Sequence, residues 1–206
     1  MDQLKTELPF LSEGLTDEVV NSSTIQTFPP GLEILREGQY VKVVPLVIEG
    51  LIKVYTRHND KELLLYYIQP KESCIMSFSA SLKNEKSRVF AVTEEETRAL
   101  LIPVDKIPNW IKEYPELNNL FYQQYNTRYT DLLDTIHHVL FDKMDVRLFD
   151  YLTNRVKLTD QNPLKISHRV IASELGTARE VISRTIKKLE LEGKVIQHSN
   201  QIEVIW

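Results

Sequence analysis

The 206-residue sequence holds a single cysteine, Cys74. One thiol cannot close an internal disulfide, and it cannot supply a four-cysteine zinc or iron–sulfur site. A reducing, cytoplasmic setting is therefore expected. No apolar run approaches the roughly 18 residues that span a bilayer, so no membrane partner is expected. Residues 1–11 lack a basic stretch followed by an apolar one, and no signal peptide is read there. Internal repeats and low-complexity segments are missing too. A metal-dependent enzyme on a β-roll would need clustered histidine and carboxylate ligands. The only histidine of the β-rich half is His58, in a turn, so no catalytic residue and no metal ligand is assigned. An excess of positive charge is also missing: 25 basic against 29 acidic residues give a net charge of −4. Taken whole, that balance argues against a nucleic-acid partner.

What is present changes that reading. Hydrophobic residues make up 42% of the chain, enough to build a core and to exclude wholesale disorder. The charge is segregated. Residues 1–141 carry 14 basic and 20 acidic residues, a net of −6, and residues 142–206 carry 11 and 9, a net of +2. The same division appears in the pattern. From residue 22 to about 105, short runs read as strands: Ser23–Phe28, Leu32–Leu35, Val44–Ile48, Leu51–Tyr55, Leu63–Ile68, Arg88–Thr93 and Thr97–Ile102. Turn signals at Pro29-Pro30-Gly31, Glu37-Gly38, Glu49-Gly50 and His58-Asn59-Asp60 separate them, the spacing of an antiparallel sandwich or roll.

From Pro108 onward the pattern is helical. Between Pro115 and Phe141 there is neither glycine nor a further proline, a length of roughly 38 Å if helical. Tyr122, Tyr125, Tyr129, Leu132, Ile136 and Val139 recur at steps of three and four, the seam of a heptad. Phe121, Leu133 and Leu140 form a second stripe, so one face can pack on the roll and the other on a partner helix. After a break at Phe141-Asp142, Val146, Leu148, Phe149, Leu152 and Val156 mark another helix, and Asn162-Pro163 marks a turn.

The stretch Ile166 to Leu189 carries the chemistry. Ser167 is placed to cap a short helix with Val170, Ile171 and Leu175 on its apolar face. Gly176 follows, where a left-handed backbone costs glycine little. Thr177 is placed to cap a second helix, with Glu180 completing a capping box. That helix buries Val181, Ile182, Ile186 and Leu189. Two short helices joined by a glycine turn form a helix-turn-helix. The opposite face of the second helix shows Arg179, Ser183, Arg184, Lys187 and Lys188. Long donors near the N-terminus of such a helix reach base edges in a major groove. Arginine makes a bidentate contact to guanine, and glutamate accepts from the cytosine amino group. Lys187 and Lys188 fit phosphate contacts instead, with Thr177 and Ser183 beside them. Val195–His198 and Ile202–Ile205 then read as a hairpin, a wing whose tip residue His198 is placed for a phosphate.

These features together resemble the Crp/Fnr family over essentially the whole chain. The motif Gly-Thr-Ala-Arg-Glu-Val-Ile-Ser-Arg, residues 176–184, is the most specific part of the match. The resemblance implies an α+β architecture: an N-terminal double-stranded, jelly-roll-like β-roll over residues 1–113, a long dimerisation helix over 114–141, and a C-terminal winged helix-turn-helix over 142–206. It places Arg179, Glu180 and Arg184 on base-reading positions, and Ser167 and His168 on phosphate-contacting ones. Gly31, Gly38 and Gly50 fall on turns of the roll, and the heptad seam becomes a homodimer interface. The implied function is sequence-specific binding of double-stranded DNA at a near-palindromic operator, in a regulator of transcription that contacts RNA polymerase. A small effector in the roll would bias the two helix-turn-helix units through the Phe141-Asp142 hinge.

The chain departs from the family pattern where a cyclic nucleotide would sit. The expected Gly-Glu pair is Ile75-Met76, and the expected arginine is Glu85 or Lys86, with Arg88 two or three residues away. Neither ribose acceptor nor phosphate fork is preserved, so cyclic AMP is disfavoured, while a register slip of two or three residues would let Arg88 substitute and leaves an anionic ligand open. The oxygen-sensing branch needs several cysteines, and the histidine pair His137-His138 on the long helix reads as surface and seam rather than as a haem ligand. Cys74, Met76, Ser77, Phe78, Lys86, Arg88, Tyr125 and Tyr129 are the candidate lining of a pocket for an unidentified effector, and no cofactor is assigned. The alternative is a small-molecule sensor that acts through a protein partner without DNA. The basic recognition helix argues against it.

Overall fold

The computed structural model describes residues 11–58, 61–83 and 85–205, with the backbone alone at 58, 61, 80, 81 and 138–141. The turn predicted at His58-Asn59-Asp60 and the side chain of Val139 lie outside the described residues. The chain divides into two compact units, Met1–Thr56 with Leu65–Asp131, and Arg57–Leu64 with Leu132–Trp206. The division falls within the long helix.

Before the long helix, α1 (Glu13–Ser22) precedes β1 (Thr24–Phe28), β2 (Glu33–Leu35), β3 (Val43–Glu49), β4 (Ile52–His58) and β5 (Lys61–Ile68). Then come α2 (Ile75–Lys83), β6 (Phe90–Thr93), β7 (Thr97–Pro103) and α3 (Ile107–Glu113). The seven strands form two antiparallel sheets, ordered β1-β7-β3 and β2-β6-β4-β5. Pairing sequence-distant strands in this way gives the roll that turn spacing alone announced. Gly50 closes its tightest corner. Its φ is +93°, and a Cβ there would meet the Glu96 carbonyl oxygen at 2.5 Å and Thr97 Cα at 2.6 Å, so no other residue fits.

Leu35, Val47, Ile52, Val54, Ile68, Cys74, Val89 and Ala91 fill the roll. Val44, Leu46, Leu100 and Ile102 pack outward against Leu15 and Val19 of α1, Ile107 and Trp110 of α3, and Leu117 and Phe121 of the long helix. Two helices here, α1 and α2, went unread in the sequence, and α3 falls at the start of the span read as helical. The α1 helix follows a serine cap, the Leu15 N–H donating to Ser12 Oγ at 3.4 Å. The α3 helix starts one residue before Pro108, where a proline costs no hydrogen bond. The span read as strands and turns also contains α2, which has no proline or glycine. Its apolar Ile75, Phe78 and Leu82 follow helical spacing, and nine residues are too short for that spacing to stand out from the flanking strands.

The long helix, α4, runs Pro115–Phe141 as its lack of breakers predicts, and a bend at Asp142 separates it from α5 (Met144–Thr159). Then follow α6 (His168–Glu174), α7 (Arg179–Leu191), β8 (Val195–Gln197) and β9 (Ile202–Val204). The last two pair antiparallel as the wing. Leu148, Leu152, Ile171, Ile182, Ile186, Leu189, Val195, Ile202 and Val204 make one core. Asn162, in the connection between α5 and α6, pins the wing: its amide donates to the Val204 carbonyl and accepts from the Val204 N–H, both at 2.9 Å.

Candidate functional site

The turn between α6 and α7 is built as its sequence dictates. Ser167 Oγ accepts from the Val170 N–H at 3.2 Å and caps α6. At the other end Gly176 has φ +66°. The Thr177 N–H donates to the Ala172 carbonyl at 2.8 Å and the Gly176 N–H to Ser173 at 3.1 Å, the bond pair of a Schellman motif. Two expectations are corrected here. Thr177 does not cap α7: its amide closes α6, the cap position falls on Ala178, and no side chain bonds there, so Glu180 completes no capping box. Val170 is 40% exposed rather than buried, while Glu174 takes a place on the buried face three residues after Ile171.

Glu174 is 3% exposed and accepts from the Tyr151 hydroxyl at 2.7 Å and from Arg155 Nη1 at 3.3 Å. Arg147 Nη2 donates to the Leu175 carbonyl at 3.0 Å. Thus α5 holds the turn between α6 and α7 by a buried carboxylate and a guanidinium. The signal was in the spacing, since Glu174 lies on the same stripe as Ile171. Replacing Glu174 by alanine leaves a buried arginine and a tyrosine hydroxyl without this acceptor. The expected loss of unfolding free energy is about 3 kcal/mol, read from urea unfolding, with Glu174→Gln intermediate.

On the outer face of α7, Arg179, Glu180, Arg184 and Lys187 are exposed and Ser183 is half-buried. Arg184 Nε donates weakly to the Glu180 carbonyl at 3.4 Å, within the helix. Among the described residues, Arg179 and Lys187 have no carboxylate partner. Three other cations of this unit are paired: Lys194 with Glu192 at 2.8 Å, Arg155 with Glu174, and Lys188 with Asp145 and, at 3.7 Å, Glu192. The hydrogen bond from Lys188 holds the Asp145 carboxyl below its ordinary range, and Asp145 in turn raises Lys188. Lys188 is therefore engaged at the start of α5, a tie the sequence did not announce.

Beside the arginines lies a concavity of about 600 Å³. Its walls are the start of α6 (Ser167, His168, Arg169), Lys165, Arg179, and the wing from Gln197 to Ile202 with His198 at the tip. No carboxylate lines it among the described residues. His198 Nε2 lies 3.0 Å from Glu203. His168 Nδ1 lies 2.9 Å from Ser183 Oγ. Burial, and secondarily the charge of Arg179, hold the His168 imidazole below its ordinary range, so it is neutral near pH 7.

The first unit does not gather the predicted effector lining into one place. Cys74 and Ser77 line a cavity of about 280 Å³ inside the roll, with Phe28, Leu32, Ile52 and Ile68. Phe78 and Tyr125 line a different groove of about 450 Å³ between α2, α3 and α4. Met76 packs against the roll core. Lys86 sits over the Tyr40 ring at 5.5 Å, and Arg88 is exposed beside Glu85 at 3.8 Å. Tyr129 is exposed. Sequence reasoning also missed a buried cluster. Arg128 pairs with Glu72, bonds Asp131 at 3.0 Å and covers the Tyr66 ring at 4.7 Å, and Gln124 accepts from the Ser73 N–H at 2.9 Å. Burial, with Cys74 close by, raises the Tyr66 hydroxyl well above its ordinary range. The seam of α4 is open, with Tyr122 73%, Tyr125 60%, Tyr129 52%, Leu132 47% and Ile136 45% exposed.

Comparison with known proteins gives a consistent picture. A family profile of the Crp-like helix-turn-helix domain matches residues 146–205, and one of the cyclic nucleotide-binding domain matches residues 25–114. The global nitrogen regulator of Nostoc sp. is 23% identical over 188 residues, 87% of this chain and 84% of that protein. A solved Crp/Fnr-family transcriptional regulator from Eubacterium rectale superposes with a TM-score of 0.85 at 23% identity, covering 98% of this chain and 95% of the other. The c-di-GMP-responsive global regulator of Xanthomonas campestris superposes at 0.83 with 17% identity, covering 95% of this chain and 100% of that one. No helix among the described residues is long and apolar enough to cross a membrane.

Proposed function

Because the chain belongs to the Crp/Fnr family of DNA-binding transcription regulators, we propose that it binds a near-palindromic duplex operator as a homodimer, each protomer placing α7 in a major groove. The observation that carries this reading is the outer face of α7. Exposed Arg179, Arg184 and Lys187 lie there without carboxylate partners, beside a carboxylate-free concavity that extends to the wing. In this reading Arg179, Glu180 and Arg184 read base edges. Ser167, His168, Thr177, Lys187 and His198 contact phosphates and fix the register. Lys188 reaches a phosphate only by leaving Asp145, so it contributes least.

The open seam on α4 supports the dimer, since five large apolar side chains on one helix face call for a partner surface. Control by a small effector belongs to the same reading. The roll cavity and the α2–α3–α4 groove have mainly apolar walls, and no arginine lines either among the described residues. That favours an effector other than a cyclic nucleotide, whose phosphate an arginine would meet. A contact with RNA polymerase and a cytoplasmic location rest on the family alone.

Selection from a random duplex library with the purified chain tests the reading. Two inverted half-sites are expected, about 10 base pairs apart from centre to centre. Failure to enrich any motif overturns DNA recognition. A motif with a single half-site overturns the symmetric dimer.

A further inference from the structure

The groove of about 450 Å³ between α2, α3 and α4 lies outside the roll. Ile75, Phe78 and Leu82 of α2, Ile111 of α3 and Phe121 of α4 give it apolar walls. The Phe78 and Phe121 rings stack with centroids 3.4 Å apart and set α2 against α4. Tyr122 and Tyr125, 73% and 60% exposed, continue the wall toward solvent. The volume falls within the roughly 300–1,000 Å³ of small-molecule sites. The cavity inside the roll, about 280 Å³, falls below that range.

The two cavities also differ in what an occupant touches. A ligand shifts an equilibrium only through groups it contacts differently in the two states. Among the described residues, the roll cavity has no wall on α4. The groove has four residues there: Asn118, Phe121, Tyr122 and Tyr125. An occupant of the groove therefore bears directly on the long helix.

The polar groups of the groove select the ligand. Lys112 is exposed on it and has no carboxylate partner among the described residues. Glu116, four residues on, is engaged by the Ser12 hydroxyl. Asn118 Nδ2 donates to the Ile111 carbonyl at 3.1 Å and closes the corner between α3 and α4. No carboxylate lines the groove among the described residues. Apolar walls with one uncompensated cation match an apolar body that ends in a single carboxylate. Tyr122 and Tyr125 belong to the open seam of α4 as well as to the groove. In a dimer on that seam, the α4 of the second copy supplies the side that the single chain leaves to water.

We propose that this groove is the effector site, that it takes a small apolar monocarboxylic acid, and that a second copy of the chain completes it. The proposal rests on the reading of the chain as an effector-controlled dimer, and it moves control outside the roll. Linkage follows: the dimer tightens the acid by the same factor by which the acid tightens the dimer.

The test is titration calorimetry of the full-length chain with octanoate and with 4-phenylbutyrate, each beside its uncharged amide. At least one acid is expected to bind, one per protomer, and its amide about 3-fold more weakly, the worth of one partly exposed charge pair. Lys112→Ala is expected to remove the difference between acid and amide. Leu82→Glu, at a position 47% exposed in the fold, is expected to weaken the acid about 10-fold or more, since it removes apolar wall and adds a like charge. The seam variant Leu132→Asp with Ile136→Asp lies outside the groove and is expected to bind the acid at least about 5-fold more weakly than the unmodified chain. If neither acid binds, or if Lys112→Ala and Leu82→Glu leave binding unchanged, the site falls. If a monomeric seam variant binds as well as the unmodified chain, the second copy has no part in it. If the seam variant still scatters light as a dimer, the α4 interface falls first and takes that part with it. Duplex selection keeps the outcomes apart: an enriched motif without acid binding overturns this proposal alone, and acid binding without an enriched motif overturns the DNA-binding reading alone.

Discussion

The double substitution Arg179→Ala and Arg184→Ala is expected to lower affinity for the selected duplex by about 10³-fold or more, down to the level of sequence-independent binding, measured by fluorescence anisotropy at fixed salt. Each arginine placed bidentate on a guanine discriminates by about 1–3 kcal/mol, and two such contacts are lost in each half-site. Both side chains are exposed, and neither holds an ion pair that the fold needs. The variant should therefore unfold at the same urea concentration as the unmodified chain. Residual binding is expected to be indifferent to sequence, because Lys165, Arg169 and Lys187 remain. Lys187→Ala supplies the contrast. It should weaken selected and scrambled duplexes alike and reduce the slope of log affinity against log salt by about one. Unchanged affinity in the double variant would revive the sensor that acts through a protein partner.

The fold was legible where the sequence repeats a simple rule. Strand runs with turn residues every eight to twelve positions gave the roll, and uninterrupted three-four spacing gave the long helix. The Ser167 and Gly176 signals gave the helix-turn-helix boundaries. What escaped depends on tertiary partners. Thr177 looks like a cap in isolation, yet the Schellman motif that ends α6 takes its amide and shifts the α7 start by one residue. Lys188 reads as a phosphate contact on a helical wheel, but Asp145 lies 43 positions earlier and meets it only in the folded unit. Arg128 stands between two seam tyrosines in the sequence and is nonetheless 9% exposed, because Glu72 and the Tyr66 ring receive it on the other side of the helix. The candidate effector lining failed for the same reason. Neighbours in sequence around Cys74 alternate around α2, so Ser77 faces the roll cavity and Phe78 the outer groove.

The net charge of residues 142–206 is small, and this makes the proposed dimer seam the second large lever. With a net of only +2 over residues 142–206, one protomer has limited sequence-independent attraction for DNA, so tight binding needs two half-sites held together. Leu132→Asp with Ile136→Asp is expected to give a chain that elutes and scatters light at its own 24.0 kDa rather than twice that mass. The two positions are 47% and 45% exposed in the single chain, so the variant has no reason to lose its fold, and its far-ultraviolet dichroism should match the original. In a dimer the same residues meet their copies across the two-fold axis. Each protomer then brings two carboxylates into a desolvated seam, with like charges opposed and roughly 1.5–3 kcal/mol of apolar burial lost per residue. Affinity for the full operator should fall to that of an isolated half-site, a loss of about 10²-fold or more as the second contact ceases to be intramolecular. If the chain is the proposed dimer, Arg179→Ala with Arg184→Ala is expected to leave the mass at twice 24.0 kDa, so the two variants separate base reading from assembly. A variant seam that still scatters as a dimer would place the interface on another surface.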